Sequence, residues 1–145
     1  MRYQLASVAT LFGTLALVAG CSDPEHELAP RHAASGSVTH DRQPLASGTI
    51  IFESTADLAK GLPPTSAPIV NGRYEIQATA GPNVVRINST KESTDESGMT
   101  VFEETIPSRY NTESELTAEV APGTTTTKDF ALTGKVEKPK SPPMP

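Results

Sequence analysis

The chain has 145 residues, a net charge of −5 with histidines neutral, and a single cysteine. An acidic chain without a basic stripe lacks the electrostatic footprint of a nucleic-acid-binding protein, and one thiol excludes a disulfide within the chain, so an exported domain must rest on its core alone. That core has few large side chains: there is no Trp, and of four Phe and three Tyr, Tyr3 and Phe12 fall near the N-terminus.

Arg2 is the one basic residue ahead of an apolar run from Leu5 to Val18, which Ser7, Thr10, Gly13 and Thr14 interrupt. The run is shorter than the ~20 residues that cross a hydrocarbon core of about 30 Å, and it has the order of a targeting segment. It ends in Val18-Ala19-Gly20-Cys21. These four residues resemble the lipobox of bacterial lipoproteins, in which small side chains admit the signal peptidase to the bond before the cysteine. The resemblance implies that residues 1–20 are a signal peptide that is removed. It also implies that the Cys21 thiol takes a diacylglyceryl group and that the new amino terminus is open to a further acyl chain such as palmitate. Attachment becomes stable with two or three chains, because one anchors only marginally at about 0.8 kcal/mol per buried methylene. The alternative is an ordinary secretory signal that ends near a cysteine. The expected place is the cell envelope, anchored to the membrane through Cys21. Ser22, rather than an aspartate, directly after the cysteine favours the outer membrane over the inner under enterobacterial sorting.

Residues 21–33 read as a lipidated tether, since Ser22 to Ala33 carries two prolines and almost no apolar periodicity. Extended, it reaches at most about 40 Å. Residues 134–145, rich in proline and lysine, read as a disordered or polyproline-like tail.

Between them, residues 34–133 show no helical period and repeated strand signals. Ser35 to His40 predicts a first strand, closed by the polar turn Asp41-Arg42-Gln43-Pro44. Thr49 to Ser54 follows, with Ile50 and Phe52 on one face. Ala67 to Val70 and Arg73 to Gln77 flank Asn71-Gly72, which favours a type I′ hairpin turn. In Asn83 to Ser89, Val85 and Ile87 point inward and Arg86 outward. Thr90 to Thr100 reads as a mobile polar loop. Glu115 to Val120 alternates Leu116, Ala118 and Val120 against polar residues, and strand is favoured there over a short helix. Thr127 to Thr133 supplies Phe130 and Leu132. About seven short strands at this spacing argue for an all-β antiparallel sandwich.

The order Gly36-Ser37-Val38-Thr39, Pro44-Leu45, Gly48 to Phe52, Gly72-Arg73-Tyr74, Gly81 with Val85-Arg86-Ile87, Ile106-Pro107 with Tyr110, and Gly123 with Phe130-Ala131-Leu132 resembles a known group. It is similar to the transthyretin-like, carboxypeptidase-regulatory-like β-sandwich lipoproteins of planctomycete-type bacteria, over roughly residues 34–133. The resemblance implies an immunoglobulin-like Greek-key sandwich, exported and lipid-anchored, without an established activity for most members. Two related classes fit poorly. The transthyretin-related hydrolases use a His and Arg cluster and end in Tyr-Arg-Gly-Ser, whereas this chain ends Pro-Pro-Met-Pro. Isopeptide-locked adhesins need a first-strand lysine and a last-strand asparagine, and neither is here.

His26, between Glu25 and Glu27 and near Asp23 and His32, offers zinc-type ligands, but a proline-broken tether lacks fixed geometry. Glu92, Asp95 and Glu96 near Gly98 lack the spacing of a calcium loop. There is no nucleophile elbow, phosphate loop or zinc-protease helix. No metal, cofactor or catalytic residue is therefore expected. Tyr110 reads as a packing corner whose hydroxyl bonds backbone; alternatively Arg109 and Tyr110 form a recognition patch, both residue types being favoured at interfaces. The resulting expectation is a non-enzymatic envelope protein acting as a structural or protein-binding accessory through an unidentified partner. The alternatives are a ligand- or carbohydrate-binding sandwich and a hydrolase, for which a cleft joining His40 to Arg86 or Arg109 would be the structural sign.

Overall fold

The computed structural model describes residues 29–136. It is all-β, with antiparallel sheets curled into a half-barrel. The strands are β1 Arg31–His40, β2 Gln43–Pro44, β3 Ser47–Ser54, β4 Thr65–Val70, β5 Arg73–Thr79, β6 Gly81–Asn88, β7 Thr90–Thr94, β8 Thr100–Glu104, β9 Thr117–Val120, β10 Thr126–Thr127 and β11 Phe130–Leu132. One helical turn, α1 Thr55–Leu58, follows β3, capped at its start by the Ser54 hydroxyl, which accepts from the Asp57 amide. No helix among the described residues is long and apolar enough to cross a membrane.

The main sheet runs β10-β1-β5-β4-β3-β6-β9, with β2 and β11 also on β1. β4 and β5 share only the pair Val70 and Arg73, so beyond their turn they part and the sheet folds over. Its two halves then close on one core. Ala34, Val38, Tyr74, Ile76, Phe130 and Leu132 come from the β1 half, and Ile50, Phe52, Ile69, Val85, Ile87 and Val120 from the β3 half. The inward sets follow the period of two on each strand: Ile50 and Phe52, Val85 and Ile87, and Ala118 and Val120 are all buried. At the centre the Tyr74 ring stands between Phe52 and Phe130, its centroid 6.1 Å from each.

Two turns carry positive φ at both central residues. Asn71 and Gly72 (49° and 73°) join β4 to β5, and Asp41 and Arg42 (49° and 69°) join β1 to β2. Both have the type I′ signature that matches strand twist. The first is fastened to the second arm, because Gly72 donates to the Leu45 carbonyl at 2.7 Å and accepts from the Val38 amide at 2.8 Å.

The structure corrects several expectations. β1 begins at Arg31, and Arg31 to Ala33, expected above to belong to a tether, pair instead with Gln77 to Thr79. There are more than seven strands, and the main sheet is not purely antiparallel: β10 and β11 both run parallel to β1. The 90–100 segment is not a loop but the hairpin β7–β8, a separate two-stranded sheet. Its β-branched and aromatic residues favour strand, and Asp95 builds the turn, its Oδ1 accepting from the amides of Ser97 and Met99 at 2.9 Å each. Cys21 with the lipobox-like Val18-Ala19-Gly20, the His26 region and residues 137–145 lie outside the described residues.

The parallel arrangement gives the molecule two distinct ends. Arg31 opens β1 at one end, beside α1 and the β5–β6 bend. His40, both type I′ turns and the base of the β7–β8 hairpin lie at the other, about 30 Å away at 3.3 Å per residue.

Candidate interaction site

The site around Arg109 and Tyr110 begins with Ile106, buried against the core, and Pro107, which enters a 3-10 turn over Ser108–Tyr110. Arg86 steadies this turn from β6. Its guanidinium pairs with Glu53 at 2.9 Å and donates to the carbonyls of Asn111 at 2.7 Å and Thr112 at 3.0 Å. The Tyr110 ring packs on the core edge, and the Arg109 guanidinium lies over it, 4.9 Å from the centroid.

Both side chains reach the end of β11. The Tyr110 hydroxyl accepts from the Thr133 amide at 3.1 Å, and the Arg109 guanidinium donates to the Thr133 carbonyl. One residue on, Gly134 is held from the opposite side: its amide donates to Asp41 Oδ1 at 3.0 Å, and its carbonyl lies 2.8 Å from His40 Nε2. Four side chains, from the end of β1, the turn after it and the 3-10 turn, thus grip two successive residues where the chain leaves the sheet. Hydrogen bonds from Thr133, aided by the Arg109 guanidinium, hold the Tyr110 phenol below its usual range. Beside the grip, Arg109, Tyr110, Glu113, Glu115 and Leu116 line an open groove of about 480 Å³.

His40 and Arg109 therefore meet across the Thr133–Gly134 backbone, while Arg86 is engaged elsewhere. Each is already spent on backbone or carboxylate partners. His32 is used similarly, its Nδ1 accepting from the Gly123 amide at 3.1 Å. Among the described residues no group of three or more His, Cys, Asp or Glu is placed to hold a metal ion.

Three features escaped the sequence reading. The chain between β10 and β11 dips across Gly36, where the Lys128 carbonyl accepts from the Tyr74 hydroxyl at 2.7 Å. Asp129 Oδ1 replaces a ladder acceptor there, taking the Ser37 amide at 2.7 Å and hydroxyl at 2.8 Å. Those two bonds, with Arg73 nearby, hold the Asp129 carboxyl below its ordinary value, and burial pushes the Tyr74 phenol well above its own. At the Arg31 end, Asp57 is buried, and its Oδ2 accepts from the Thr79 hydroxyl at 2.5 Å. The third feature is the β7–β8 hairpin, which carries Met99 and Phe102 exposed at 63% and 71%. Its signal in the sequence was the strand-favouring Thr90, Thr94, Thr100, Val101 and Phe102 on either side of the turn residues Asp95 to Gly98.

No family model and no curated protein matches the sequence. Among solved structures, a 9R-lipoxygenase from Cyanothece PCC8801 aligns with 72% of this chain at 18% identity and a TM-score of 0.34. The chain spans only 16% of that protein.

Proposed function

We propose that this protein is a lipid-anchored accessory of the bacterial cell envelope whose domain is a transthyretin-like, immunoglobulin-like Greek-key sandwich without catalytic activity. One observation carries the reading: the sole cysteine, Cys21, closes the lipobox-like Val18-Ala19-Gly20-Cys21 behind a short apolar run, and the first strand opens only ten residues later, at Arg31. A sandwich-like β domain on a short tether suits a module held near a membrane surface. The return of the last strand alongside β1 is compatible with the transthyretin-like topology. The non-catalytic reading draws support from His40, Arg86 and Arg109, whose polar atoms are committed to fixing loops. The net charge of −5 does not favour nucleic acid, and no cofactor enters the proposal.

The test is the intact mass of membrane-extracted protein, alongside a Cys21→Ala variant, with fractionation of both. The expected result is a mature chain beginning at Cys21 with added acyl mass, and loss of processing or of membrane association in the variant. Unmodified protein in the soluble fraction would overturn the anchored reading.

A further inference from the structure

We infer that the β7–β8 hairpin is a docking arm for a protein partner that presents an apolar pocket rimmed by lysine or arginine.

The hairpin forms its own two-stranded sheet, joined to the main sheet only at its base. An isolated two-stranded hairpin is marginally stable in water, and this one gains nothing from packing an outer face. The register sets Thr90 opposite Glu104, Glu92 opposite Phe102 and Thr94 opposite Thr100, so those six side chains share one face. All six are exposed. Phe102 sits at the centre of that face as the most exposed large apolar side chain among the described residues. A solvated aromatic at the middle of a flat polar face has the form of an anchor residue awaiting a pocket.

Charge selects the occupant. On the Phe102 face the ionised groups are Glu92 and Glu104, with no cation; Lys91 projects from the opposite face, paired in register with Glu103. Asp95 and Glu96 add two further negative charges at the tip. A second copy of this chain would bring like charges together, and an anionic lipid surface would repel the arm. A protein pocket with a cationic rim satisfies both the aromatic and the carboxylates.

Position agrees with this use. The arm rises from the end of the domain opposite Arg31, because β6 ends at Asn88 beside Thr49 of β3, and Ser47, Val70, Arg73 and Ser37 follow in register across to the far end of β1. If the chain is anchored through Cys21, that end faces away from the lipid. This orientation, though not the docking chemistry, rests on the envelope reading above.

The test places a photoreactive phenylalanine analogue at Phe102 and, in a separate variant, at Leu58, which is 54% exposed at the Arg31 end. Each is expressed in the cells that make the protein, irradiated, and the cross-linked segments are identified by mass spectrometry. The expected result is one discrete protein adduct from position 102 and not from 58, through a segment richer in Lys and Arg than in Asp and Glu. Adding Glu92→Lys and Glu104→Lys should cut its yield about tenfold or more, the size of a hot-spot loss, while circular dichroism shows the fold retained. No adduct, identical adducts from both positions, or capture of lipid, of an acidic segment or of a second copy overturns the inference. Fractionation of the same cells separates the two proposals: membrane-held protein with no adduct refutes the arm alone, and soluble protein with the expected adduct refutes the anchor alone.

Discussion

Replacing Gly36 by alanine tests how the last strand is locked to the first. A Cβ built at Gly36 would lie 1.8 Å from the Lys128 carbonyl oxygen and 3.1 Å from the Tyr74 ring. The nearest obstacle is backbone, so the dip between β10 and β11 must move. Overpacking of this kind costs about 1–3 kcal/mol. Moving Lys128 also strands the Tyr74 hydroxyl, and a buried polar group left without its partner costs roughly 1–3 kcal/mol more. The expected loss is about 3 kcal/mol, a large share of the roughly 5–15 kcal/mol that holds a domain of this size. It corresponds to a fall in Tm of about 12–24 °C at 4–8 °C per kcal/mol. Urea unfolding followed by circular dichroism measures it, with Gly123→Ala as comparison. Gly123 has a φ of 76° but open space around it, so that change costs only left-handed strain of about 1–2 kcal/mol. Tyr74→Phe should cost about 1 kcal/mol in the natural background and close to nothing beside Gly36→Ala, because the two act on the same carbonyl. A Gly36→Ala loss below about 1 kcal/mol, or full additivity with Tyr74→Phe, would refute the argument.

Asp129 makes a pH prediction with a definite sign. Its folded carboxyl is held below the ordinary range, so its contribution is fully present above the unfolded value of about 3.9 and fades as pH falls through the lower folded value. Natural protein should therefore exceed Asp129→Asn in stability near neutrality, with the gap closing below about pH 4 in urea titrations; a constant gap would contradict this. Tyr110→Phe removes the acceptor of the Thr133 amide and should cost about 1 kcal/mol, with faster hydrogen exchange at Thr133 and Gly134. Protection unchanged at both amides would remove the grip from the account. Phe102→Ala should leave stability within about 0.5 kcal/mol, as surface changes do, and a larger loss would show that the aromatic is part of the domain's own packing.

Where a strand's apolar residues alternate and bury against the core, the chain was readable from its letters: Ile50 with Phe52, Val85 with Ile87, and the Asn71-Gly72 turn all have local causes. The Asp41-Arg42 turn was visible as a turn but not as type I′, because the positive φ of Arg42 is imposed by β2 returning onto β1 rather than by residue type. Arg31 to Ala33 looked like tether because charge and a nearby proline hid three residues whose pairing is entirely with β5. The β7–β8 segment has strand propensity without a buried face, so its carboxylates spoke for loop. The backbone-bonding role of Tyr110 follows a pattern its neighbours carry. Its companions in the grip do not, since His40 and Asp41 meet Gly134 across 94 and 93 residues of sequence.

The parallel run of β10 and β11 beside β1 also decides how the domain would answer a mechanical load. Tension applied between a fixed amino-terminal side and anything that seizes the chain beyond Gly134 acts along the length of these neighbouring strands, in opposite directions. Their ladder bonds, together with the Ser37 to Asp129 and Tyr74 to Lys128 bridges, would then be strained in shear and share the force, instead of opening one after another from an end. The first and last strands thus act as a clasp, and a molecule built this way resists being drawn out lengthwise better than its small core alone would suggest.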